Sequence, residues 1–173
     1  MKKFQFLLLD AGPVIKLFEI GLWEKFIEQC DVTISQVVAN QAKWASRESE
    51  DIKIDLQFYE RQGHIKFIDL EPRTVANFHN KFDLIYQADI HDGEKETLAF
   101  LCDSSDKWLV CAADKAVFRV LGTLGKGEQG ISLEEILNQI GLSRPLEWKY
   151  TKRFREKYTR EGEIDSIQDK SLV

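Results

Sequence analysis

Residues 6–15 read FLLLDAGPVI. Four apolar residues, Phe6 to Leu9, end abruptly in Asp10, and helix-compatible residues follow at once. A short, continuous apolar run of this kind suits a strand buried on both faces of a parallel sheet. Pro13 fits a first helical turn, where its missing N–H matters least. Val14, Leu17 and Phe18 then share one face of a helix predicted over residues 12–19. A carboxylate driven to the tip of a buried strand is costly unless something compensates its charge. The stretch therefore raises the question of fold and the question of function together.

Working outward, strand and helix keep alternating. A helix is predicted over residues 22–28 and a strand over 31–34. Ser35 then caps a helix through about Ser46. Residues 47–51 form a charged turn, 52–61 a helix, and 64–70 an alternating strand. Pro72 opens a helix through about Leu84, and Glu94 to Cys102 forms another. Trp108 to Ala112 is a buried strand that leads to Asp114, with a helix over 115–121. Glycines punctuate residues 122–130 as a loop. Ser132 and Glu135 make a capping box for one more helix. The chain from Lys149 is charged, helical to about Arg160, then polar and frayed. This alternation implies an α/β fold, a three-layer α/β/α arrangement around a mostly parallel sheet. Residues 1–145 are expected as the main domain and 146–173 as a charged C-terminal helix and tail.

Composition narrows the function. The chain has 173 residues, 43% of them hydrophobic, enough for one domain with a real core. A formal net charge of -5 removes any global basic field, so nucleic-acid binding would need a local basic patch. Cys30, Cys102 and Cys111 match no zinc spacing and read as reduced thiols. No apolar run reaches the ~18 residues that span a bilayer, and Asp10 interrupts the only run near the start that a signal peptide would need. A soluble cytoplasmic protein without a membrane segment is expected.

Ligands of open parallel sheets bind outside the carboxyl ends of the strands. Asp10 and Asp114 both follow such ends. If their strands are neighbours, the two carboxylates meet at one edge, where a hard divalent cation, Mg²⁺ or Mn²⁺, would offset their repulsion. The helix start HDGEKETLAFL adds Asp92, Glu94 and Glu96. Asp92 and Glu96 are four apart and share a face, whereas Glu94 and Glu96 do not. Acids at a helix start also complement the helix dipole without any ligand. His91 lies beside them, a residue more often found capping a helix than carrying protons. Lys115 follows the last acid, where a lysine can touch phosphate but is more often simply solvated.

Strand-Asp followed by AGPVIKL, then ISQVVANQ, DGEKETLAFL and CAADKAVFRVLG, in that order, resembles the PIN-domain family over roughly residues 4–140. The resemblance implies a metal-dependent ribonuclease that hydrolyses RNA phosphodiester bonds. It also implies the partners of a toxin–antitoxin toxin, an antitoxin protein and further copies of the chain. By that resemblance Asp10, Glu96 and Asp114 are catalytic, and Asp10, Glu94, Glu96 and Asp114 hold Mg²⁺ or Mn²⁺. The family's Glu in the helix after the second strand is replaced here by Gln41, an amide without charge. This departure keeps a second outcome in view, a catalytically impaired RNA- or protein-binding module. A haloacid-dehalogenase-like phosphatase also opens on strand-Asp, but it needs a second Asp where this chain has Gly12.

The segment 149–160, KYTKRFREKYTR, carries six basic residues against one acid. Tyr150, Phe154 and Tyr158 recur every four residues, a stripe that packs inward on a helix. Lys152, Arg153 and Arg155 are then left to meet RNA phosphates.

Overall fold

A computed structural model describes residues 4–173. Five parallel strands make the central sheet: β1 (Phe4–Leu9), β2 (Cys30–Ser35), β5 (Ile65–Ile68), β6 (Leu109–Cys111) and β7 (Gly130–Ile131). Their spatial order is β5-β2-β1-β6-β7. The chain starts at the centre, builds outward through β2 and β5, then returns to the other side of β1 with β6 and β7. The reversal falls between β1 and β6, whose register pairs Leu9 with Cys111. Asp10 and Asp114 leave the carboxyl ends of these two neighbouring strands.

The sheet separates two apolar cores, and β1 serves both. Leu7 and Leu9 point into one and Leu8 into the other, as a two-residue period demands. The first core takes Val14 and Leu17 of α1 (Ala11–Glu19), Trp23 and Phe26 of α2 (Trp23–Gln29), and Ile136 and Leu137 of α9 (Leu133–Gln139). The second takes Phe78 of α5 (Pro72–His79), Tyr86 of α6 (Leu84–Asp89), Leu98 of α7 (Asp92–Asp103) and Phe118 of α8 (Lys115–Thr123). The architecture is the expected three-layer α/β/α fold. Cys30 and Cys111 are buried, and all three cysteines are free thiols. Among the described residues no helix is long and apolar enough to cross a membrane.

Several predicted boundaries move. The helix after Ser35, α3, spans only Gln36–Gln41. An antiparallel hairpin follows, β3 (Trp44–Arg47) and β4 (Glu50–Lys53), where helix and turn were expected. Its turn residues Glu48 and Ser49 have φ of 52° and 68°. Such turns usually carry Asn or Gly, so the sequence gives no hairpin signal. α4 (Leu56–Arg61) starts four residues later than predicted, capped by Asp55. The helix from Pro72 stops at His79, and Asp83, accepting a hydrogen bond from the Tyr86 N–H at 3.0 Å, restarts it as α6. β7 is two residues long, too short for any period to reveal. β1 carries a bulge at Phe6, whose φ of 56° shifts the register before Leu7.

The C-terminal helix α10 (Lys152–Ile167) is longer than expected and does not fray at Arg160. It is part of the second core. Phe154 is buried against Phe118, and Tyr158 packs beside it. Tyr150 is buried in the first core, so the aromatic stripe faces inward as expected. Two glycines allow α8 and α10 to touch backbone to backbone. A Cβ on Gly162 would lie 1.9 Å from the Arg119 carbonyl oxygen, and one on Gly122 would lie 2.0 Å from that of Thr159.

Gly162→Ala is therefore expected to lose about 3 kcal/mol of stability through forced separation of the two helices. Urea unfolding followed by circular dichroism measures this. A loss below about 0.5 kcal/mol, the range of a neutral surface change, would mean the helices are not in contact here.

Candidate metal centre

Three chain segments converge at the carboxyl edge of β1 and β6. Asp10 occupies the N-cap position of α1, and its own N–H continues the β1–β6 ladder to the Cys111 carbonyl at 3.0 Å. Asp114 caps α8, its Oδ1 accepting from the Ala116 N–H at 2.9 Å. Glu94, in the first turn of α7, reaches back so that Oε2 accepts from the His91 N–H at 2.9 Å. Asp114 and Glu94 thus have a local helix-capping reason to sit where they do, whereas the Asp10 side chain makes no capping hydrogen bond. The sheet topology is what brings the three acids together.

The donor atoms of His91, Glu94 and Asp114 all lie within 4.8 Å of one another. Asp10 adjoins them, interacting with the charges of Asp114, His91 and Glu94. Two of the acids are hidden from water, Asp10 at 8% exposed and Glu94 at 6%, while Asp114 is half-buried. Burial pushes the Asp10 carboxyl up to about 6, with Asp114 adding to the rise; the Ala11 backbone and His91 oppose it. Burial likewise pushes Glu94 up to about 7, with help from Asp10 and Asp114, against the His91 backbone hydrogen bond and the His91 ring. Among the described residues no lysine or arginine pairs with Asp10, Glu94 or Asp114. The His91 ring stands beside them, its Nδ1 3.5 Å from Glu94 Oε1, while its side chain is 70% exposed. Carboxylates without a lysine or arginine partner, two of them buried and one half-buried, beside one imidazole, are chemically suited to a divalent metal ion. A group able to bind a metal is therefore present.

The other expected site residues fall elsewhere. Glu96, matched by resemblance to the central-helix acid, does not enter the cluster. Two residues on from Glu94, it faces another side of α7 and accepts from the Val37 N–H at 3.3 Å and the Leu70 N–H at 3.4 Å. Asp92 is exposed and pairs with Lys95 at 3.2 Å. Gln41 packs against the start of α7. A Cβ on Gly93 would come within 2.7 Å of its Oε1, so the glycine is what lets α3 and α7 approach. Lys115 is exposed on the first turn of α8. Arg155 is not free for RNA: it forms a two-pronged pair with Glu135, both contacts at 2.8 Å. That pair holds Glu135 below the usual carboxylate range despite burial. Lys152 and Arg153 remain exposed. His91 is expected from sequence as a capping residue rather than a ligand; in the structure it is the N-cap of α7 and belongs to the group, and the Glu three residues on is the signal that points to it.

No family model matches this chain, and no curated protein matches it.

The raised carboxyls have a consequence for stability without metal. Asp10 and Glu94 bind protons more tightly folded than unfolded, so their contribution is fully present below about pH 4. It is lost as pH rises through about 6 to 7. Metal-free protein is expected to melt at progressively lower temperature between pH 4.5 and 7.5 as these groups ionise. Asp10→Asn should raise Tm at pH 7.5 in chelator, on the order of 5 °C, and flatten the profile. An unchanged profile in this variant would show that the Asp10 carboxyl is not held in a strained, buried state.

Proposed function

We propose that this chain is a metal-dependent ribonuclease-like protein that hydrolyses RNA phosphodiester bonds at the edge formed by Asp10, Glu94 and Asp114. The observation that carries the reading is the meeting of these three carboxylates at the point where the strand order reverses, where open parallel sheets bind their ligands. The motif order of the sequence, resembling the PIN-domain family, supplies the reaction class.

Asp10, Glu94 and Asp114 would hold Mg²⁺ or Mn²⁺, with His91 at the rim. Such an ion, when bound, supplies a hydrolytic water of lowered pKa and stabilises charge on the phosphate. The chain's own residues do the rest. Glu94 and Asp10 exchange protons near pH 6–7 and so open for metal only as they ionise. Asp114 and Glu94 are held rigid by the caps they form. The basic start of α10 lies toward the same edge. The Lys152 N–H donates to Glu134 in the first turn of α9, which follows the carboxyl end of β7. The Tyr150 hydroxyl donates to the Gly12 carbonyl at 3.4 Å. Arg153 and Lys115, with Lys152 in an exposed ion pair to Glu156, provide the local positive charge that a chain of net charge -5 needs to meet RNA.

The impaired-module reading draws on Gln41. It adds no charge beside Gly93, leaving three carboxylates in the cluster.

Mn²⁺ in a hundredfold excess over Kd should raise Tm by roughly 5–10 °C at pH 8 and much less at pH 5.5. With Mn²⁺ the protein should cut a structured RNA. Asp10→Asn should slow cleavage by at least about a hundredfold, since even outer-shell changes at metal sites cost roughly 10–100-fold. Equal cleavage by the variant would refute the assignment. A Mn²⁺-dependent melting shift without cleavage would support the impaired module instead. Gln41→Glu should tighten Mn²⁺ binding ~tenfold by adding a charge.

A further inference from the structure

A groove of about 580 Å³ opens beside the cluster, between α3, α5 and α7. Val37, Leu70, Pro72, Val75 and Ala76 supply apolar walls, and Glu96 lines it. Glu96 is 4% exposed. Each of its oxygens accepts one long backbone N–H, from Val37 and from Leu70, and each keeps a second lone pair. Among the described residues no cation pairs with it; the neighbouring Lys95 is engaged by Asp92. A buried carboxylate compensated only by two long hydrogen bonds is costly. Its backbone donors nevertheless fix its orientation, as a preorganised acceptor requires. α3 follows β2, and Leu70 follows β5, so the groove opens on the same sheet edge as the metal centre. Glu94 and Glu96, two residues apart on α7, serve one site each.

We propose that this groove is a guanine subsite, holding the base next to the scissile phosphate and reading it through the Glu96 carboxylate. The inference rests on the ribonuclease reading for the phosphate, though not for base binding itself. Apolar walls of this kind hold a flat heterocycle, and the carboxylate selects among bases by its need for donors. Guanine presents two adjacent donors, N1–H and the N2 amino group, which match the two oxygens of one carboxylate. Adenine and cytosine place a ring acceptor beside their amino donor, and uracil flanks its single N–H with two carbonyls. Of the charged lining, Lys95 is paired with Asp92, which leaves Asp69 and Glu96 to disfavour phosphate, so the base enters the groove and the phosphate stays at the metal.

The test titrates the intact protein with the four neutral nucleosides in chelator, following the Val37 and Leu70 amide signals by NMR. Guanosine should shift both amides and bind about tenfold more tightly than the others, the discrimination one charge-assisted hydrogen bond supplies. Glu96→Gln should abolish that preference. Ala76→Trp, which fills the groove from its exposed rim, should abolish binding while leaving the fold intact. No binding, or equal binding of all four nucleosides, would overturn the proposal. So would preferential binding of an arginine ester, which would assign the groove to a cationic side chain of a protein partner. Guanosine binding without RNA cleavage in Mn²⁺ would retain the subsite and remove the nuclease reading. Cleavage without guanosine binding would do the reverse.

Discussion

The pairing of β1 with β6 is the constraint on which the site depends. β1 is central in the sheet and feeds both cores, so it cannot move without disturbing either. Once Leu9 is in register with Cys111, Asp10 and Asp114 must leave the sheet at one edge. Both are then caught as the residues that begin a helix. Glu94 arrives by a different route, on the helix that precedes β6. Glycine at position 93 lets that helix press against Gln41 of α3. Two capping acids, Glu94 and Asp114, and the strand-end acid Asp10 thus converge on one acidic point where burial disfavours charge.

This layering of roles explains why the site was only partly legible in the sequence. Asp10 and Asp114 were readable because a strand-then-acid pattern places a side chain whatever the tertiary details. The choice between Glu94 and Glu96 was not. Both lie in the first turns of one helix, and the sequence shows that they diverge without showing which side faces the sheet edge. Resemblance favoured Glu96. In the structure Glu94 faces the cluster, because the capping bond to His91 fixes its direction. The same gap between local and tertiary information accounts for the fold. Strands with strong apolar runs were legible, as were helices with Ser or Pro at the start. The hairpin over residues 44–53 was hidden, because Glu48 and Ser49 adopt a backbone that their side chains disfavour. β7 was hidden because only neighbouring β6 makes two residues a strand.

The C-terminal helix illustrates a second kind of ambiguity. Its charge suggested an accessory arm for nucleic acid, and its aromatic spacing suggested packing. Packing governs the helix as a whole, through Phe154 and the glycine contacts with α8. Arg155 is consumed by Glu135 of α9 on another side of the helix. Lys152 and Arg153 at the helix start stay exposed, held toward the acidic edge by the contact of Lys152 with α9, and Lys157 and Arg160 are exposed further along. One element therefore closes the second core and leaves basic side chains exposed at its start.

The central claim is that Asp10, Glu94 and Asp114 form one divalent-cation site. Anomalous X-ray diffraction from crystals soaked in Mn²⁺ at pH 8 tests it most directly. The account predicts a manganese peak within coordination distance, about 2.0–2.4 Å, of oxygens from all three carboxylates. Crystals in which manganese binds elsewhere, or in which the three acids hold only a lysine or arginine of a neighbouring chain, would contradict it.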